Sequence, residues 1–301
     1  QKIMDLWPTG NIPPQFDAEG NVINNYFVQS PLKMNRNNLD FKVDWNRNEK
    51  HLMWFKYSVM KALIIGSCAY NDTFSPPCPA GFGGGFNGTS PYLVQTSTIG
   101  HTWTLSPTFL VDGSVGFSRM GNSISNAGFG TNIGLDVLGI PGTNDPNDIR
   151  YSGAPGFTVG SYTRVQGSDG WQPAIRHDWS VTLTQNASWT RGKHMLRFGF
   201  DLVHHHLNHW QPESVEPRGT FEFGTGDVTM LNMTNLPATN VNLFRNRYNQ
   251  YATFLLGSFD SAGRSLQNIG MNGKSRQYAF YISERWRATN KLTLNLGLRY
   301  E

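Results

Sequence analysis

Apolar and polar residues alternate with a period of two along several stretches of the chain, most clearly between Arg276 and Glu301. Its second half places Leu292, Leu294, Leu296, Leu298 and Tyr300 on one face. Its first half places Tyr278, Phe280, Ile282 and Trp286 on one face, with Glu284 as the exception. Because successive side chains of a β-strand point to opposite faces, the pattern predicts a hairpin with an apolar and a polar face.

The same alternation predicts three earlier hairpins, at about residues 39–59, 99–118 and 176–207. Each is closed by a short turn, and long segments at 61–92, 120–175 and 208–275 connect one hairpin to the next. Strands of about ten residues with one apolar face match transmembrane barrel strands, and this asymmetry of connections is typical of bacterial outer-membrane barrels. The sequence therefore predicts an all-β fold, an antiparallel transmembrane β-barrel that is partial, with about eight strands in four hairpins and long extracellular loops.

Composition agrees with strands and turns rather than helices. The 301 residues include 32 Gly, 16 Pro, 19 Phe, 11 Tyr and 9 Trp, with 38% hydrophobic and 15% charged residues. No stretch reaches the roughly 18 consecutive apolar residues of a membrane-spanning helix. The mean hydropathy of -0.42 is compatible with a barrel, since half of each barrel strand is polar. The net charge of +4 is scattered, so nucleic-acid binding is not expected.

Charged residues on the polar faces are expected to hydrate and cross-link the barrel lumen rather than to react. They are Asp40, Asp44, Asp112, Asp178, Asp201 and Arg197. No paired carboxylates with a common pocket and no nucleophile motif occur, so neither an enzyme nor a cofactor is predicted. Six tryptophans near strand ends suit the aromatic girdles at a membrane interface, with core packing in a soluble β-protein as the alternative: Trp45, Trp54, Trp103, Trp179, Trp189 and Trp286.

Four histidines, at positions 204, 205, 206 and 209, form the most conspicuous candidate site. Imidazoles bind zinc, copper or nickel, and His204 and His206 share a strand face while His205 points away. Adding His209 requires the chain to turn. Metal capture by His204, His206 and His209 is therefore a weak prediction, and a position at the barrel rim is the favoured interpretation.

Two further candidates lie in the long connections. Cys68 and Cys78 flank a short Pro-rich segment, and nine intervening residues are enough to close a disulfide in an oxidising compartment. Two unpaired thiols are the alternative. Asp145 and Asp148 lack the spaced ligands of a calcium motif, so they are interpreted as turn formers.

Several stretches carry a family resemblance. They are NNLDFKVDWNRNEKHLMWFKYS (37–58), LGIPG (138–142), TRGKHMLRFGFDL (190–202), RGTFEFGTG (218–226), YATFLLGS (251–258) and QYAFYISERWRATNKLTLNLGLRYE (277–301). Together they resemble the TonB-dependent outer-membrane receptors of the Oar-like type. The last stretch is the most specific, because it combines an aromatic strand, an acidic-Trp pair, a short Thr-containing turn and LTLNLGLRYE.

The resemblance implies that residues 1–301 are part of one receptor barrel domain in the bacterial outer membrane. The chain begins at Gln1 and stops at Glu301 as a strand ends, so we expect an internal barrel fragment, without the plug and carboxypeptidase-regulatory-like domains of such receptors. Implied partners are outer-membrane lipid, an extracellular ligand and, through the plug, the TonB complex. The implied function is ligand capture and import; the alternatives are a surface-exposed structural or adhesive β-protein and a passive porin.

Overall fold

Eight long antiparallel strands form one continuous sheet in the computed structural model of this chain. The structure describes residues 3–4, 8–18, 22–29, 31–66, 88–126, 128–160, 162, 164, 167, 171–212, 217–224, 247–267 and 269–301. The strands are β1 (Gln15–Phe16), β2 (Val22–Ile23), β3 (Lys33–Asn48), β4 (His51–Ile65), β5 (Thr89–Ser106), β6 (Phe109–Ile124), β7 (Gly156–Val159), β8 (Ala174–Arg191), β9 (His194–Trp210), β10 (Thr220–Phe223), β11 (Ser261–Gly263), β12 (Met271–Trp286) and β13 (Leu294–Tyr300). The helix α1 spans Arg247–Leu256.

The large sheet has the strand order β13-β12-β9-β8-β6-β5-β4-β3. Each strand therefore pairs with its neighbours along the chain, once the short strands in the connections are set aside. The sheet does not close on itself within the described residues, because β3 and β13 each have one partner. This is the partial barrel of eight strands that the sequence predicts.

Register divides the sheet into one apolar and one polar face. Leu39 pairs with Val59, Phe41 with Tyr57 and Val43 with Phe55, while Asp40 pairs with Ser58 on the opposite face. The predicted lumen residues Asp40, Asp44, Asp112, Asp178, Asp201 and Arg197 all share the polar face. On the apolar face large side chains stay uncovered by protein, for example Leu298 at 72% exposure and Ile99 at 54%. Such an extended uncovered apolar surface matches the lipid-facing wall of a transmembrane barrel.

The two ends of the sheet differ as the sequence predicts. Residues 49–50, 107–108 and 192–193 close three of the hairpins. The last hairpin is closed by a longer link, residues 287–293. At the other end the strands extend past the predicted loop boundaries, since β4 reaches Ile65 and β5 begins at Thr89. Backbone pairing continues there beyond the apolar band, so alternation alone underestimates strand length. We call the two ends the turn end and the loop end.

Part of the long connections folds into a small body of its own at the loop end. β7 pairs in parallel with β10, which pairs antiparallel with β11. Phe157, Val159, Phe223 and Phe254 form its buried core, with Phe254 supplied by α1. Most of the resemblance stretch 251–258 is helical, because α1 extends to Leu256. Residues 220–223, within the resemblance stretch 218–226, form β10 of this separate sheet. We call β7, β10, β11, α1 and the core the loop-end body.

One tryptophan prediction is wrong. Trp54 pairs with Asp44 and with Gly100, which places it on the polar face rather than in a membrane girdle. A Cβ at Gly100 would overlap the Trp54 indole ring, so the glycine makes room for the indole there. The other five tryptophans lie on the apolar face: Trp45, Trp103, Trp189 and Trp286 near the turn end and Trp179 towards the loop end.

No helix in the described part of the chain is long and apolar enough to span a membrane.

The assignment of faces predicts opposite effects for arginine at two adjacent positions of β5. Ile99 lies near the middle of the strand on the apolar face, and Thr98 faces the polar side. Ile99→Arg should destabilise the protein by about 2–4 kcal/mol, because the charge enters the hydrocarbon. Thr98→Arg should cost much less. Urea unfolding of the full-length protein in lipid vesicles, followed by gel mobility without boiling, measures both; equal losses would contradict the assignment.

Candidate functional site

The polar face of the sheet carries a cross-linked set of charged and hydroxyl side chains. Ser58 donates a hydrogen bond to Asp40 (2.5 Å), and Lys56 lies 3.6 Å from the same carboxylate. Farther along the sheet Arg299 approaches Asp201 at 3.4 Å. Asp40 thus contacts a hydroxyl and a cation of the neighbouring strand, and Asp201 contacts a cation two strands away. The face is a hydrated wall that can contact a polar solute.

A polar chain crosses four neighbouring strands of this wall. Asn186 on β8 donates to Asp112 on β6 (2.9 Å), and Tyr281 on β12 donates to Asn186 (2.7 Å). The intervening strand β9 contributes Gly199, which pairs with both Asn186 and Tyr281. A Cβ at Gly199 would lie 2.6 Å from Asn186 Oδ1 and 2.9 Å from the Tyr281 ring. Glycine therefore lets the tyrosine reach across β9.

The loop-end body and its surroundings contain a fully buried arginine. The Arg218 guanidinium donates to Asn126 Oδ1 (3.1 Å) and to the Gln172 carbonyl (3.3 Å). Asn126 follows β6, Gln172 precedes β8, and Arg218 precedes β10. A charge without exposed surface requires hydrogen-bonding partners to remain in the interior. Arg218 consequently joins the connection between β9 and β12 to both ends of the connection between β6 and β8.

Aromatic contacts join these connections to β9. The Arg150 guanidinium lies 4.6 Å from the centre of the Trp210 ring, and Trp210 Nε1 donates to the Gln267 carbonyl (2.7 Å). Tyr151 donates to the same carbonyl at 3.2 Å. A cation–π contact and hydrogen bonds thus hold the connection between β6 and β8 against the end of β9.

Asp148 and Arg150 form a bidentate ion pair in the connection between β6 and β8. Both carboxylate oxygens accept from the guanidinium, the shortest contact being 2.6 Å. The hydrogen bonds from Arg150 lower the pKa of Asp148, and the Asp148 carboxylate raises the pKa of Arg150. Asp148 also accepts from the backbone N–H of Arg150 and caps a short 3₁₀ helix, Ile149–Tyr151. The residue predicted to form a turn therefore does so as a helix cap.

Family comparison agrees with the geometry. A family model described as an outer membrane β-barrel domain matches residues 1–301. The chain belongs to this family. The barrel domain therefore resides in the bacterial outer membrane, with its apolar face towards lipid and its polar face towards the lumen.

Solved structures similar to this barrel domain are receptors and transporters of the outer membrane. A mutant ferric enterobactin receptor (PfeA) from Pseudomonas aeruginosa is 13% identical, with a TM-score of 0.44 over 89% of this chain and 28% of that chain. The outer membrane transporter YddB from Escherichia coli is 13% identical, with a TM-score of 0.29 over 89% of this chain and 34% of that chain. The chain thus spans about a third or less of those two proteins. No curated protein matches it in sequence.

The histidines predicted as a weak metal site are divided between the faces of the barrel domain. His204 and His206 lie on the lipid-facing side, on either flank of Trp179, at ring distances of 5.2 and 5.0 Å. His209 lies on the opposite face, where it accepts from Arg176 (3.0 Å). β9 continues straight through Trp210, so the turn needed to bring His209 alongside does not occur. Among the described residues no group of three or more His, Cys, Asp or Glu is placed to hold a metal.

The predicted disulfide lies outside the described residues, since Cys68 and Cys78 fall within 67–87. It stays a prediction.

Sequence reasoning missed the chain formed by Asp112, Asn186 and Tyr281. Alternation indicates that Asp112 and Asn186 face the lumen, but their contact depends on the register between successive hairpins, which are joined by a long connection. Arg218 was missed because no periodic pattern surrounds it. The sequence signal for this polar chain is Tyr281, an aromatic residue at a polar position of the alternation. In the sheet it lies opposite Gly199.

Removing the Tyr281 hydroxyl should lower the stability of the barrel, whereas removing a tyrosine hydroxyl on the lipid-facing side should not. Tyr281→Phe deletes the hydrogen bond to Asn186 and should lower the free energy of unfolding by about 1 kcal/mol. Tyr278→Phe, on the lipid-facing side of the same strand, is the matched control and should have little effect. Urea unfolding of the full-length protein in vesicles measures both. Equal shifts would show that the polar chain does not stabilise the barrel.

The ion pair of Asp148 predicts a pH dependence at the loop end. A lowered pKa in the folded state contributes stability above the unfolded pKa near 3.9, and this is lost as the pH falls through the folded value. Asp148→Asn, which can still cap the helix, should weaken local protection by about 1 kcal/mol at pH 7. The difference in local protection between the Asp148→Asn variant and the unsubstituted protein should vanish below the pKa that Asp148 has in the folded state.

Hydrogen exchange of amides 149–153 measures this loss of protection, with the variant and the unsubstituted protein compared at each pH. Asp145→Asn is the control and should show no such pH-dependent difference. Among the described contacts the Asp145 carboxylate accepts only from the Asn147 backbone N–H (2.9 Å). A loss of protection for Asp148→Asn that is constant from neutral pH into acid would contradict the ion-pair explanation.

Proposed function

We propose that this barrel domain is part of a TonB-dependent outer-membrane receptor that captures an extracellular ligand and imports it. The parent protein would move its ligand without transforming it. The TonB complex would act through a plug domain in the parent protein, and outer-membrane lipid would surround the barrel.

The ordered loop end is the observation that carries this proposal. Long connections build the loop-end body, with a core of four buried apolar side chains, and Arg218 links two of these connections. Fixed surfaces at the mouth of a barrel limit the conformational entropy that is lost when a ligand binds. A selective receptor benefits from such preorganisation, whereas a general diffusion pore does not need it.

The polar wall supports passage of a polar ligand. The described carboxylates Asp40, Asp112 and Asp201 contact cations or hydrogen-bond donors on the wall itself. Such groups hydrate and shape a lumen. The sequence resemblance around residues 277–301 supports the receptor class over other barrels.

Two measurements on the full-length protein test the receptor proposal. The first is conductance in a planar lipid bilayer, where a plugged receptor should be closed and a variant lacking the plug should conduct. The second is retention on immobilised periplasmic domain of TonB, which should bind the intact protein and not the plug-deleted variant. The plug-deleted protein thus serves as the matched control in both.

The alternatives give different results. A passive porin would conduct ions as the intact protein. A structural or adhesive surface protein would neither conduct nor bind TonB. A complete reading frame without a plug and a TonB box would also overturn the proposal.

A further inference from the structure

Basic side chains cluster on the lipid-facing side of the barrel at its loop end. The cluster, here the basic belt, consists of Arg119, His177, His204, His206, Lys274 and Arg276. Arg119, His177, Lys274 and Arg276 are exposed, and His204 and His206 are half-buried. All six have the same orientation as the apolar residues of their own strands. A lipid-facing surface is an unusual place for several cations.

Strand register brings these residues side by side. Lys274 pairs with His206, His206 with Trp179 and Trp179 with Arg119. Arg276 pairs with His204 in the adjacent row. Lys274 and Arg276 are two residues apart on β12, about 7 Å along the strand. Both long side chains can therefore reach one anionic group.

The position of the belt corresponds to the headgroup region of the membrane. Tyr278, Phe280 and Ile282 follow Arg276 on the same face and begin the apolar band. An arginine or lysine facing lipid costs about 2–4 kcal/mol at the bilayer centre but only about 0–1 near the interface. Trp179 lies within the belt, as expected at an interface. The cations consequently occupy the level of the lipid headgroups.

Within the eight described strands, no carboxylate lies in the basic belt. On the lipid-facing side of the eight strands the one carboxylate is Glu284, near the turn end, and it pairs with His194 at 2.6 Å. Lys274 and Arg276 take part in no ion pair of the described residues. Phosphate accepts strong charge-assisted hydrogen bonds from lysine and arginine. A phosphate at the level of the belt would therefore match its charge and its hydrogen-bond donors.

We propose that Lys274 and Arg276 bind the phosphate of a lipid headgroup in the outer leaflet, beside His206 and Trp179. His206 Nε2 donates a hydrogen bond to Asn272 Oδ1 (2.7 Å), which fixes the orientation of its ring beside the site. Arg119 and His177 extend the basic surface to neighbouring lipids. The site lies on the outside of the barrel and is independent of ligand import through the lumen.

Lipid titration of the full-length protein in neutral detergent tests the site. The probes are phosphatidic acid and phosphatidylcholine in mixed micelles, inorganic phosphate and Zn²⁺, with native mass spectrometry as the readout. Phosphatidic acid should bind most tightly, and its affinity should fall with added salt. In the double variant Lys274→Gln/Arg276→Gln the affinity should fall about tenfold or more, because two charged hydrogen-bond donors are lost.

Matched variants separate the site from general charge and folding effects. Arg197→Gln/Arg285→Gln removes the same charge from the lumen side and should leave phosphatidic acid binding unchanged. Lys274→Arg/Arg276→Lys should retain binding, and each single glutamine variant should lose part of it. Gel mobility without boiling verifies that every variant is folded.

Three results would overturn the proposal. Equal losses in the belt and lumen variants would mean that net charge alone attracts the lipid. Inorganic phosphate binding as tightly as phosphatidic acid would indicate a site for a soluble anion. Zn²⁺ binding that depends on His204 and His206, with no lipid effect of the glutamine variants, would identify a metal site instead.

Discussion

Backbone hydrogen bonding between strands is the constraint on which this barrel domain depends. Hydrocarbon offers no partner for an N–H or C=O group, so a membrane-spanning segment has to satisfy these groups within the protein. The eight strands do so over 7 to 18 residues each, and the interruptions of register, at Asn46/Asn48 and Thr104/Ser106, lie at the turn end. Once pairing is continuous, the alternation of side chains assigns every residue to lipid or lumen.

Continuous pairing also determines where glycine is needed on the lumen side. Neighbouring strands are about 4.8 Å apart, which leaves little space for large side chains that lie across the sheet. Gly100 accommodates the Trp54 ring, and Gly199 allows Tyr281 to reach Asn186. Glycine in the interior of a strand weakens that strand, because it has no side chain to pack. In return the wall gains an aromatic or polar contact between strands.

At the loop end apolar side chains are buried and charged groups are paired or hydrogen-bonded, as in a water-soluble protein. Phe157, Val159, Phe223 and Phe254 bury their side chains together, as apolar residues do in water. Arg218 is buried with hydrogen-bond acceptors, and the Asp148–Arg150 pair is partly exposed. On the barrel wall the large apolar residues face outward instead. The basic belt lies between these two environments, where the surrounding medium changes from hydrocarbon to water.

The sequence by itself determined the fold class, the number of long strands and the face of most side chains, because a period of two is a local property of the chain. It also indicated which ends carry the tight turns. Only the tertiary structure decided the contacts between hairpins: the separation of His209 from His204 and His206, the path from Asp112 to Tyr281, and the burial of Arg218. These depend on register and on connections of many residues, where local patterns carry no information about partners. For Trp54 the residue type and the position in the alternation disagree. Its residue type suggested a membrane interface, but its position in the alternation and the glycine opposite it place it on the lumen face.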